Sequence, residues 1–431
     1  MASYTIMQFI DTWMLSRLGT IGPTAASNAG GFAFSLISFG VGTLFVVNTL
    51  VSQSYGRGDF KSCGRYLGQG VWFSIVFAAA LFPLTAILPA AFRSFGHEPQ
   101  LVAMESTYLR IVVANAVFKL LSTALSQFLL ATNRPGAVMV STIAGVSVNA
   151  VAAWMLIFGR LGVHPHGVAG AAWAQNIGTI VEMLGCLTFV LRPKPRRQFN
   201  ALDWKPRAME MMSLITIGLP AGLQFIADVL AWSLFSAWVM AAFGTAAMAA
   251  NAFMFRYMVV SFMPAFGMSA AVTALVGRYI GMGRPDIARA RANLGFIVTA
   301  VYMVTCGLGF YLGRNQLISL FSSDPEVQRI GAQMLAFAAV YQFFDAVYIV
   351  YNGALRGAGD TLVPAVMTAG LCWGITVFAA RWTAIHFPAW GPAGPWTVAT
   401  IYGTILGIFI YMRFRVGGWE KIHLKSPSDS I

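Results

Sequence analysis

Long apolar stretches alternate with short polar ones along this 431-residue chain, and the apolar stretches have the length of membrane crossings. A hydrocarbon core of about 30 Å takes about 20 helical residues to span. Tyr66–Phe92, Pro135–Gly159, Val229–Phe255, Tyr257–Gly277 and Trp382–Met412 contain no Asp, Glu, Lys or Arg. The last is long enough for one crossing, a hairpin and part of another. With segments interrupted by one or two charges added, the pattern predicts twelve crossings, centred near Thr12, Phe39, Phe77, Leu120, Ala150, Thr179, Val229, Val260, Val301, Tyr341, Thr376 and Thr404. Such segments are too long and too continuously apolar for barrel strands, and an open sheet cannot span a bilayer. The expected fold class is therefore all-α and integral to the membrane.

Composition strengthens that reading. Hydrophobic residues make up 58 % of the chain and charged residues 10 %, against about 25 % charged in soluble domains. The 43 glycines suit helices that pack closely through small residues. The net charge of +13 follows membrane topology. With the N-terminus inside, cytoplasmic loops hold Arg57, Lys61, Arg65, Arg134, Arg192, Lys194, Arg196, Arg197, Lys205, Arg207, Arg278, Arg284, Arg289, Arg291 and Arg356, and the tail holds Arg413, Arg415, Lys421 and Lys425. Outer loops hold Arg17, Arg93, Arg110, Arg160, Arg314 and Arg329. Nineteen against six places both termini in the cytoplasm. No soluble domain carries a basic, aromatic-studded face, which argues against nucleic acid as a partner. Cys63, Cys186, Cys306 and Cys372 are scattered singly, without the CxxC pair a metal or redox site would use. Met1–Leu18 reads as a short first crossing with no basic region before it, not as a cleavable signal, which leaves a truncated N-terminus or misplaced start open.

The chain repeats at a spacing of about 225 residues. Leu50-Val-Ser-Gln-Ser-Tyr-Gly-Arg-Gly58 aligns with Leu275-Val-Gly-Arg-Tyr-Ile-Gly-Met-Gly283. Gly42 falls on Gly267, Gly70 on Gly295 and Gly19-Thr20 on Gly244-Thr245, while Gly167-Val-Ala-Gly170 matches Gly391-Pro-Ala-Gly394 with a one-residue slip. The expected organisation is an N-terminal six-helix bundle (1–191), a basic cytoplasmic linker (192–210), a C-terminal six-helix bundle (211–415) and a cytoplasmic tail (416–431). An even number of crossings per half predicts a pseudo-twofold axis along the membrane normal, with substrate bound between the halves.

A charge in mid-bilayer costs about 2.5–3.5 kcal/mol on the insertion scale, so each interior charge is a functional candidate. These are Asp11, Lys119, Glu182, Asp228, Arg256, Asp345 and Arg381; Glu105 and Glu210 read as solvated helix ends. Asp228 follows Gly218-Leu-Pro220, where the proline is expected to loosen the backbone and free carbonyls. Asp345 lies four residues after Tyr341, which puts carboxylate and phenol on one helix face. Two carboxylates and a phenol oxygen suit a hard cation such as Na⁺, and the same pair can share a proton. The alternative is plain neutralisation by Arg256 or Arg381. In the first half, Asn149 is a polar neighbour for Asp11, and Lys119 and Glu182 form a candidate neutralising pair. The few histidines (His164 and His166 in one loop, His97, His386 and His423 isolated) do not suggest a metal site.

These residues resemble the multidrug and toxic compound extrusion (MATE) family, particularly its bacterial sodium-coupled branch. The resemblance covers nearly the whole chain. It rests on Phe9-Ile-Asp-Thr12, on the Leu50–Gly58 stretch, on Gly218-Leu-Pro220 with Asp228, and on Tyr341-Gln-Phe-Phe-Asp345 running into Gly353-Ala-Leu-Arg-Gly-Ala-Gly-Asp-Thr361. It implies a secondary antiporter of the bacterial inner membrane, a monomer without a cofactor, exporting amphipathic organic cations in exchange for Na⁺ or H⁺. Asp345, Tyr341 and Asp228 match the coupling-ion site, where the sodium-coupled branch more often has Glu in place of Asp228. Asp11 and Asn149 match the coupling residues of the first half, but Ala153 stands where proton-coupled relatives carry a second acid. Energy coupling is thus expected through the second half. The alternatives are a lipid-linked oligosaccharide flippase or a metabolite exporter of the same fold. An intramembrane enzyme would need paired Asp-rich or His/Ser clusters, and none is present.

Overall fold

The computed structural model describes residues 2–19, 21–94, 97–162 and 164–422. Thr20 of the repeat, and His423 and Lys425 of the tail, lie outside them. The described residues contain helices and no strand. In chain order the helices are α1 (Ala2–Leu15), α2 (Ile21–Gly56), α3 (Phe60–Ile87), α4 (Pro99–Ala114 with Ala116–Ala131, bent by 44°), α5 (Pro135–Phe158) and α6 (Gly167–Leu191). After a short helix, Pro193–Phe199, come α7 (Ala208–Leu234), α8 (Gly244–Gly281), α9 (Pro285–Leu312), α10 (Pro325–Ala358), α11 (Leu362–His386) and α12 (Ala393–Val416). Every expected centre falls inside its helix. Only α1, with 14 residues, is shorter than a full crossing. The chain forms two compact units, Met1–Gly222 and Leu223–Ser426.

The repeat in the sequence is a repeat in backbone geometry. Gly19 and Gly244 (φ +128° and +83°), Gly58 and Gly283 (+78° and +70°), and Gly167 and Gly391 (+51° and +56°) all adopt positive-φ conformations. Side chains resist that region, and glycine enters it freely. Packing repeats as well. A Cβ on Gly70 would meet Val47, and one on Gly295 would meet Val272, the residue 225 positions after Val47.

Within each unit, small residues let helices touch at the backbone. In the first, a Cβ on Gly178 would lie 2.6 Å from the Asn149 Cβ and 2.7 Å from the Gly145 carbonyl, so α5 and α6 cross there in near-backbone contact. In the second, Gly353 and Gly357 of α10 lie against Ser269 and Thr273 of α8. Ser269 Oγ donates to the Ile349 carbonyl at 2.8 Å and Thr273 Oγ1 to the Gly353 carbonyl at 2.8 Å. The Gly353–Thr361 stretch is therefore, in its first half, a helix-crossing seam. On the other side of α10, Gly403 of α12 leaves room for the Tyr341 ring, which a Cβ would approach to 2.5 Å.

Pro220 lies inside α7 without breaking it. The expected loosening at the proline is not found; departures from α-helical geometry lie elsewhere, in π-helical turns at Phe235–Val239 just beyond α7 and at Cys372–Ala379 within α11. Gly218 and Gly222 flank the proline and pack against Thr43, which holds that part of α7 close to α2.

Each unit carries a polar strap beyond its sixth helix. In the first, Phe199 is buried among Tyr55, Phe60 and Phe128. The Phe199 and Asn200 carbonyls sit against Gly64, at the place a side chain would fill. Trp72 Nε1 donates to the Trp204 carbonyl at 2.7 Å and Gln69 Nε2 to that of Lys205 at 3.0 Å. The Arg207 guanidinium, 2.8 Å from Asp203, holds that carboxyl below the usual carboxylate range. Its contribution to the strap is thus present at neutral pH and lost as pH falls through that lowered value. In the second unit Trp419 is fully buried, stacks on Phe414 and donates to its carbonyl at 2.7 Å, while Glu420 pairs with Arg289 at 2.6 Å.

The seam sets a clear expectation. Gly357→Ala drives a Cβ to 2.5 Å from the Thr273 carbonyl, whereas Gly267, also helical, faces open space. Thermal unfolding in detergent should show a loss of about 1–3 kcal/mol for Gly357→Ala, as for other overpacked cores, and none for Gly267→Ala. Equal losses would rule out backbone crowding as the cause.

Candidate functional site

In the second unit, α7 carries Gln224, Asp228 and Trp232 at four-residue spacing, which puts them on one face, one turn apart. Asp228 is partly buried. Its Oδ2 accepts a hydrogen bond from the Tyr348 phenol at 3.1 Å, and its Oδ1 faces the Tyr402 phenol at 3.5 Å. The Cys372 thiol, at the start of the π-helical turn in α11, is a further hydrogen-bonding neighbour. One residue earlier, the Ala227 carbonyl accepts from Trp373 Nε1 at 3.2 Å. Gln224 Nε2 donates to the Tyr348 phenol oxygen at 3.1 Å and to Thr368 Oγ1 at 3.0 Å.

Asp345, one turn before Ile349 at the α8 seam, is 7 % exposed and Tyr341 is 6 % exposed. Asp345 accepts no hydrogen bond from any described residue, yet it feels the Asp228 charge, and Tyr341 feels both. The structure therefore brings the three predicted residues together electrostatically, with unequal surroundings: Asp228 is held by donors and Asp345 is bare. Buried acids of like charge that lack a cationic partner are costly, and a bound cation or proton relieves that cost. Around them lies an aromatic wall. The Trp232 ring meets Tyr341 at 6.0 Å, Tyr402 at 6.4 Å, Phe255 at 5.6 Å and Trp396 at 6.1 Å. Neutralisation of Asp228 by Arg381 is not found: Arg381 donates to the Trp238 carbonyl at 3.1 Å and lies over its ring.

In the first unit, Asp11 and Asn149 are both fully buried, and Asn149 Nδ2 donates to Asp11 Oδ1 at 3.2 Å. Close crossing at Gly178 presses directly on the Asn149 Cβ, so helix packing fixes this amide. Tyr108, which donates to Gln175 Oε1 at 2.6 Å, and Tyr4 complete the polar surroundings. Ala153, one turn along α5, is buried and adds no acid. Lys119 and Glu182 do meet, at 4.0 Å, and Glu182 also accepts from Ser3 Oγ at 2.9 Å and Thr142 Oγ1 at 3.0 Å. This cluster neutralises itself.

Two acids depart from expectation. Glu105 is fully buried, accepting from Asn28 at 2.9 Å and lying 2.8 Å from His97 Nδ1, so neither it nor His97 stands alone. Glu210 is 4 % exposed between Arg65 and Arg207. Both lie at helix ends, as the sequence indicates, but long-range partners draw them inward. Sequence reasoning also missed Gln224, Tyr348, Thr368 and Tyr402. Gln224 carries a local signal, one turn before Asp228, and Tyr348 lies two turns after Tyr341. Tyr402 and Thr368 arrive from other helices and carry none. Among the described residues no three His, Cys, Asp or Glu gather at one point.

Comparison with known proteins bears on the family and the fold. The MatE family model matches residues 1–155 and 220–379. A probable multidrug resistance protein NorM of Aromatoleum aromaticum is 28 % identical, over 98 % of this chain and 91 % of the relative. A protein of the same description from Mesorhizobium japonicum is 28 % identical over 89 % of this chain and 84 % of its own length. Among solved structures, the outward-facing conformation of a multidrug resistance MATE family transporter of the MOP superfamily superposes with a TM-score of 0.89 at 19 % identity, covering 98 % of this chain and 94 % of the other. Its likeness concerns the twelve-helix fold alone. With one family description spanning most of both halves and carrying Asp11, Asn149, Asp228, Tyr341 and Asp345 within it, the chain belongs to the MatE family.

Proposed function

We propose that the chain is a secondary antiporter of the bacterial inner membrane that exports amphipathic organic cations in exchange for Na⁺ or H⁺. As a MatE family member it is a multi-pass membrane transporter and not an enzyme, and its NorM relatives support multidrug efflux as its work. One observation carries the finer reading: Asp345, buried and without a hydrogen-bond donor, beside Tyr341 and within the field of Asp228. An arriving cation neutralises the pair; an organic cation gains from the same charges and from the aromatic wall around Trp232. Competition between the two for one charged site is the simplest basis for exchange. Each inward positive charge gains about 2.3 kcal/mol per 100 mV, so export of a monovalent drug against a gradient calls for more than one cation or for a chemical gradient of the coupling ion.

The bias of basic residues supports cytoplasmic termini, and a single chain supplies all the groups named, in keeping with a monomer. A lipid-linked oligosaccharide flippase would use free basic groups such as Arg256, Arg381 and Lys119, but Lys119 is engaged by Glu182, Arg381 by Trp238, and Arg256 is not free either. The acids favour cationic cargo.

Replacing Asp345 with Asn keeps the shape of the side chain and removes its charge. Cells carrying that variant should lose resistance to cationic drugs while retaining normal amounts of protein in the membrane; unchanged resistance would sink the assignment. Dye efflux from inverted vesicles, with Na⁺ and pH gradients imposed separately, should respond to one gradient. Failure with both would leave the flippase reading in its place.

A further inference from the structure

The Asp228 carboxylate faces a phenol hydrogen on each oxygen, and the nearer phenol has its direction fixed. A phenol has one hydrogen to give. The Gln224 amide nitrogen lies 3.1 Å from the Tyr348 oxygen. An amide nitrogen only donates, so it takes up the acceptor side of that oxygen. The Tyr348 hydrogen is left for Asp228 Oδ2 at 3.1 Å. Gln224 is in turn held by its second contact, to Thr368 Oγ1 at 3.0 Å. A one-way chain thus runs from Gln224 through Tyr348 to Asp228, and Tyr402 adds a longer contact from α12 at 3.5 Å. Asp345 has no counterpart to it among the described residues. A carboxylate offers about four acceptor positions; a donor of fixed direction at 3.1 Å orients the plane of the group and leaves lone pairs for another ligand.

We propose that Tyr348, oriented by Gln224, is a positioning residue for the coupling ion. It holds the Asp228 carboxylate in one orientation, and the affinity of the second unit for Na⁺ depends on that phenol hydrogen although Tyr348 is not itself a ligand. The short Asp228 side chain stays within reach of this donor, so a residue one methylene shorter than the glutamate common at this place still serves as a fixed charge. The inference rests on the reading of Asp345, Tyr341 and Asp228 as a Na⁺ site.

Equilibrium binding of radioactive Na⁺ to the purified full-length chain in detergent tests both, and separates them. Wild type should bind and Asp345→Asn should not; a wild type without binding overturns the site and this inference together. Given wild-type binding, Tyr348→Phe should raise the Kd by about tenfold, the scale of one hydrogen bond to a charged group. Gln224→Leu should raise it in the same direction, and it carries the test should the Phe variant fail to fold. In an Asp228→Asn background, adding Tyr348→Phe should change nothing more. An unchanged Kd in Tyr348→Phe, or the same loss with Asp228 already replaced, overturns the positioning role and leaves the Na⁺ site standing.

Discussion

Hydrocarbon provides no hydrogen bonds, so a polar side chain carried into it needs a partner within the protein, and a carboxylate needs one from another helix or a cation. Near-backbone contact between helices makes that possible here. Gly353 and Gly357 bring α10 onto α8, and Gly403 brings α12 onto Tyr341. With α10 gripped on both sides, Tyr341, Asp345 and Tyr348 have little freedom to turn away from α7. The phenols of α10 and α12 then reach Asp228 without a cation. The chemistry of the second unit is a product of its glycine contacts, and a methyl group at the wrong place would disturb it from a distance.

The first unit solves the same problem differently. Asp11 receives an amide from Asn149, and Glu182 is met by Lys119 and two hydroxyls. One cluster is self-neutralising; the other holds a single acid with a neutral partner. Backbone signals repeat faithfully between the halves, down to paired positive-φ glycines, while the acids do not. Scaffold repeats where chemistry does not.

Much of the fold was legible from the chain. Apolar length located each of the twelve helices α1–α12, since crossing a bilayer leaves few other solutions, and the glycine repeat marked turns of positive φ that glycine enters freely. The candidate site was partly legible: Asp228, Tyr341, Asp345, Asp11 and Asn149 stand out because charge and amide are rare in such segments. Tyr348 and Tyr402 do not stand out among 13 tyrosines, because a phenol is at home in a membrane helix and only tertiary contact reveals its donor role. Burial of Glu105 and Glu210 is not legible in the sequence for a related reason. Proximity to a helix end suggests water, but Asn28 of α2 and Arg65 of α3, with His97 and Arg207 nearer in the chain, take its place. At Pro220 the local rule lost to context, with flanking glycines packing α7 tightly enough to keep it continuous.

Each strap is fitted to its own half. In the first half the chain that follows α6 lays its carbonyls where Gly64 has no side chain; 225 positions on, the second half has Arg289, whose guanidinium grips Glu420 instead. Exchanging the straps between the halves would put an arginine under the carbonyls in one and leave the glutamate facing a glycine, without its cation, in the other. The two straps are therefore not interchangeable, although the helices they follow repeat: each is fitted to the one residue at the start of its own half's third helix that the repeat does not preserve.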